Sequence, residues 1–184
     1  MTTELTATLR RVAGVIDRLN EIGAWAAAAS CAVLAAMLLI EAISTAAFSW
    51  SQPWSVEYAS YLTAITLFGG AGYALRHSSH IRVAVVQHYL PKRFNRLVEA
   101  LCTAVALAVT VLLAYGLIEL AIRSAERNSR SYFTMQTPLA WPQGLLAASV
   151  VLLALALVAR LIRIALGDAP DMAEERAPGM GAAE

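Results

Sequence analysis

Three histidines, His77, His80 and His88, come nearest in this chain to a metal or haem site. They fall in one short segment with no cysteine among them. No second cluster completes a tetrahedral set, and the apolar stretches hold no histidine to ligate haem between facing helices. Cys31 and Cys102 each sit inside an apolar run, as small core residues and not a disulfide. Glu41 is the acid nearest an apolar interior, where charge is expensive and often functional. Counted from Trp25, however, it comes near the far edge of a bilayer, within reach of water. Gly69, Gly70 and Gly72 follow no strand and form no phosphate loop. No Ser/His/Asp, Cys/His or paired-carboxylate set appears. The expectation is a chain that is not an enzyme, with no catalytic, cofactor-binding or metal-binding residue.

What must position the remaining polar residues is set by composition. At 59% hydrophobic, with a mean hydropathy of +0.60, the chain lies outside the range of soluble domains. Four stretches, Ile22–Ile40, Tyr58–Leu75, Ala100–Ile118 and Ser131–Ala159, carry no Asp, Glu, Lys or Arg. Each can cross the ~30 Å hydrocarbon core as a helix rising ~1.5 Å per residue. The expected fold is therefore all-α: an integral membrane protein with four transmembrane helices plus an N-terminal amphipathic interfacial helix. The latter occupies 1–21, where Leu5, Leu9, Val12, Ile16 and Leu19 make a stripe about 80° wide opposite Arg10, Arg11, Asp17, Arg18 and Glu21. A four-helix domain follows over 22–166, with spans at about 22–46, 55–76, 92–122 and 138–166. The Pro-, Gly-, Ala- and acid-rich tail 167–184 is expected to be disordered and cytoplasmic. The acids Glu4 and Asp17 before the first span, and the length of that span, argue for a retained helix over a cleaved signal peptide.

Basic residues set the orientation. Arg10, Arg11 and Arg18, then Arg76, Arg82, Lys92, Arg93 and Arg96, then Arg160, Arg163 and Arg176 fall on one side, leaving Arg123, Arg127 and Arg130 on the other. Both termini are expected in the cytoplasm, with Trp50, Trp54 and Trp141 at the outer interface. Topology accounts for the basic residues, so they do not point to nucleic acid. Small residues repeat at four-residue spacing, as Gly23, Ala27, Cys31 and Ala35, as Thr66, Gly70 and Ala74, and as Ala100, Ala104 and Ala108, a pattern that permits close helix packing. Pro91 and Thr137-Pro138 read as the openings of the third and fourth spans. Glu57, in the first turn of span two, pairs with Trp54 as an outer anchor.

The order Trp54-Ser55-Val56-Glu57, Gly69-Gly70-Ala71-Gly72, Arg76, His80-Ile81-Arg82-Val83 and Leu90-Pro91, followed by Pro138 and Trp141-Pro142, resembles the small permease subunit (DctQ type) of tripartite ATP-independent periplasmic (TRAP) transporters. The resemblance covers roughly 10 to 165. Ala84 stands where many members carry an acid, and uncharged residues near Thr45 replace a common arginine. The resemblance implies a bacterial inner-membrane subunit that scaffolds a large multi-span permease, which carries the substrate and sodium sites. A periplasmic substrate-binding protein would deliver an organic acid or related solute for symport. On this reading Trp54, Glu57, Gly69, Gly70, Gly72, Arg76 and His80 are candidate subunit-interface or structural residues. Arg123, Arg127 and Arg130 are candidates for periplasmic docking, membrane lipids are the surrounding partners, and the subunit carries no buried charge network of its own. The alternative is a small self-sufficient homo-oligomeric exporter, for which Glu41 would be the essential acid.

Overall fold

No proline precedes Pro53, and helix α1 runs unbroken from Thr2 to Phe48. The computed structural model describes residues 2–77, 92–133 and 135–169. At ~1.5 Å per residue α1 is ~70 Å long, more than twice the hydrocarbon thickness. The interfacial helix expected over 1–21 is thus continuous with the first span, and no break marks the boundary at 21–22.

Helix α2 (Ser55–Gly69) and helix α3 (Ala71–Arg76) are separated by Gly70 alone, whose φ of −86° and ψ of −14° stay in the helical region. Together they extend ~33 Å. Helix α4 spans Lys92–Glu126 and ends at Asn128, where a φ of 49° lets Ser129 N–H donate to the Ser124 carbonyl at 2.9 Å. Helix α5 spans Ala140–Leu166. It starts two residues later than expected: Leu139 stands at the cap, while the Thr137 carbonyl accepts Ser131 N–H at 2.9 Å. Thr137 is therefore committed to the loop and does not cap the helix. Pro142 lies in the first turn, where a missing N–H costs nothing. Gly167 closes α5 at a φ of 82°, a conformation that favours glycine.

α5 is the centre of the bundle, packing on α1, α2, α3 and α4, and Val150 and Ala159 on it are fully buried. α4 has α5 as its one extensive partner among the described elements. Asp17 meets Arg163 and Gly23 meets Leu152, so α1 and α5 run antiparallel. Both ends of the described chain leave the bundle at the same end, called the terminal end below. The opposite loop end carries the connections 49–54 and 127–139. α1, α4 and α5 are each long and apolar enough to cross a membrane. Val33, Leu39 and Ile43 on α1, and Leu101, Val105 and Leu112 on α4, are about half exposed or more. Such faces suit lipid or another membrane helix and not water.

On α1 the packed residues are Ala13, Ile16, Asn20, Gly23 and Ala27, while Leu5, Val12 and Leu19 remain exposed. On α4 the buried positions are Thr103, Thr110, Ala114 and Ser124, and the Ala104–Ala108 edge points outward. Thr103 and Thr110 tolerate burial because each hydroxyl donates to the carbonyl one turn back, at 2.7 Å.

Candidate functional site

Acids within a mostly basic region need cationic partners once they are taken from water, and the terminal end of the bundle supplies them. Asp17 on α1 binds Arg163 on α5, and its Oδ2 lies 3.5 Å from Arg76 Nε on α3. Glu99 on α4 accepts from Arg160 on α5 at 2.7 Å, with both side chains largely buried. Arg10 clamps Asp168 through two bonds of 2.9 Å. Four of the five helices, α1, α3, α4 and α5, are thereby tied at one level. A charge network does exist in this chain, contrary to the sequence expectation. The sequence reads Asp17 as part of a polar face and Arg160 and Arg163 as topology signals, and singles out neither Glu99 nor Asp168, because charges beyond the end of an uncharged run read as solvated. The available signal was three acids standing among the cations of one side.

Above this layer the helices meet through small residues. A Cβ on Gly23 would lie 3.0 Å from both the Gly69 carbonyl oxygen and Leu152 Cδ1. Gly69 faces Ala27, and a Cβ on Gly70 would lie 3.7 Å from Ala27 Cβ. At Gly72 a Cβ would fall 1.8 Å from Asn20 Oδ1. Asn20 is buried there, donating from Nδ2 to the Ile16 carbonyl at 3.0 Å. The three glycines thus let α2 and α3 approach α1 within this chain.

At the loop end two carboxylates hold the connections. Glu57, in the first turn of α2, is completely buried. Its Oε1 accepts from Tyr61 Oη at 3.1 Å. Ser131 and Thr137 lie around the same carboxylate, although Oε2 lacks a hydrogen bond of normal geometry. Trp54 stands at the α2 N-terminus, edge-on to Tyr58 at 6.4 Å. Glu41 accepts from Ser51 Oγ at 2.7 Å and from Gln52 N–H at 3.0 and 3.1 Å. The acid that the exporter reading requires is therefore a staple for the first loop.

Arg123 pairs with Glu119 one turn back, and Arg127 and Arg130 are exposed at the same loop end. His77 stacks on Tyr73 with ring centres 3.9 Å apart. His80 and His88, with the His-Ile-Arg-Val segment, Ala84 and Pro91, lie outside the described residues, as does the tail from 170 onward.

Against this geometry stands one family match. Residues 34–167 fit the family model of the DctQ component of tripartite ATP-independent periplasmic transporters. The chain belongs to the DctQ family. It is thus a small membrane component of a TRAP transporter, a family that implies a large permease and a periplasmic binding protein as partners. The matched region begins inside α1 and ends at Gly167, taking in the Glu57 and Glu41 contacts and the Glu99–Arg160 pair. Among curated proteins none matches the chain.

Proposed function

We propose that this DctQ component is a fixed scaffold for the large permease of a sodium-coupled uptake system for an organic acid or related solute. It would lie in a bacterial inner membrane with four crossings, α2 and α3 together making the second, and both termini in the cytoplasm. The family match carries the reading. The charged groups of the bundle support it: Asp17, Glu99 and Glu41 bind other parts of the same chain. A subunit so tied suits a static partner against which another protein moves. The long apolar faces of α1 and α4 offer surfaces for the permease. Arg123, Arg127 and Arg130 would meet the binding protein on the periplasmic side.

Reconstitution tests this directly. Vesicles holding the chain with its permease, supplied with the binding protein, should take up solute only under an inward sodium gradient. Vesicles holding the chain alone should take up none. Uptake by the chain alone would sink the scaffold reading.

A further inference from the structure

At the terminal end, between α1, α3 and α5, lies a cavity of about 420 Å³. Its lining includes three arginines, Arg10, Arg76 and Arg163, and one acid, Asp168; Asp17 pairs with two of the arginines. Ile162 and Leu166 supply an apolar side, and Gly14 leaves the α1 side open, since a Cβ there would meet nothing within 4 Å. We propose that this cavity binds the phosphodiester headgroup of an anionic phospholipid.

Two observations favour a lipid over a free anion, and a third supplies the group that would hold its phosphate. Arg76 directly follows the uncharged run ending at Leu75, and Arg163 lies one turn beyond the run ending at Ala159. The cations therefore sit where hydrocarbon gives way to headgroups. Basic pockets between membrane helices at this depth suit anionic headgroups. The wall is also two-natured, and Ile162 and Leu166 give a glycerol or acyl segment the contact that a phosphate ion has no use for. Finally, Arg10, which lines the cavity, is mostly exposed and paired with Asp168, so its guanidinium can turn to a phosphate without disturbing buried packing. The inference needs only that these helices cross a membrane, whichever way they face.

The test uses the full-length chain, with any co-purifying permease, in mild detergent. Native mass spectrometry and thermal unfolding are followed with phosphatidylglycerol, cardiolipin, phosphatidylcholine and inorganic phosphate. The two anionic lipids should bind about tenfold tighter than phosphatidylcholine, and millimolar phosphate should not displace them. Gly14→Leu fills the cavity without touching an ion pair. It should cut binding at least tenfold while leaving helicity unchanged. Arg10→Gln should weaken binding about fivefold, the ~1 kcal/mol expected of one arginine near a lipid surface. Asp168→Asn, which removes the competing carboxylate, should not weaken it. Equal binding of phosphatidylcholine, or full binding by Gly14→Leu, would overturn the proposal. Displacement of lipid by inorganic phosphate would make this a soluble-anion site and overturn it equally.

Discussion

Asp17 shows how much one side chain fixes here, since it answers two guanidiniums from two other helices. Removing one partner of a buried pair leaves charge uncompensated, at ~3–5 kcal/mol when burial is complete. Asp17 keeps partial access to water, so Asp17→Asn should cost about 1–3 kcal/mol, read as a lower midpoint of thermal unfolding in detergent. The double variant Asp17→Asn/Arg163→Gln should lose less than the sum of its single variants. Additive losses would show the pair to be idle. Glu57 permits a finer distinction. Glu57→Ala opens a hole and strands Tyr61, and should cost ~2–4 kcal/mol. Glu57→Gln keeps the shape and the acceptor for Tyr61, and can donate towards the Ser131 and Thr137 hydroxyls. It should cost about 1 kcal/mol. Equal losses for the two would mean that the carboxylate charge, and not its shape, holds the loop.

Helices carry the close approaches. Gly23 and Gly72 sit where a side chain has no room, so Gly23→Val and Gly72→Val should each cost ~1–3 kcal/mol through overpacking. Gly116 on α4 is the counter-case, because a Cβ there meets nothing within 4 Å. Gly116→Ala should stabilise the isolated chain by about 1 kcal/mol through helix propensity alone. Loss of permease binding in that stabilised variant would place Gly116 at the subunit contact. Much at this scale was legible from spacing. Gly23 and Ala27 were expected to pack, and they meet Gly69 and Gly70. The Ala104–Ala108 stripe faces outward from this chain; alanine recurs on every face of these helices, and periodicity cannot choose which of them packs within the chain. Thr103 and Thr110 read as polar by type, yet their hydroxyls are satisfied within their own helix, which frees that side to pack.

For the whole molecule, the predicted association can be measured by detergent pull-down of the tagged chain from native membranes. A stoichiometric large multi-span permease should accompany it. Recovery of the chain alone as a defined oligomer would favour a self-sufficient transporter, against the Glu41 geometry. The all-helical membrane character followed from sequence alone, because lipid admits only helices and closed barrels, and continuous uncharged runs of 18 residues or more fit the helix and not the short alternating strands of a barrel. The order of motifs from Trp54 to Trp141-Pro142 also pointed to the family. The positions of α1 and α4 relative to α5, the burial of Glu57 under the 127–139 connection and the layer of ion pairs at the terminal end needed the tertiary structure. A charge at the edge of an apolar run looks the same in sequence whether water or an opposite charge neutralises it. Only the neighbouring helix decides which, by placing Arg163 against Asp17 and Arg160 against Glu99.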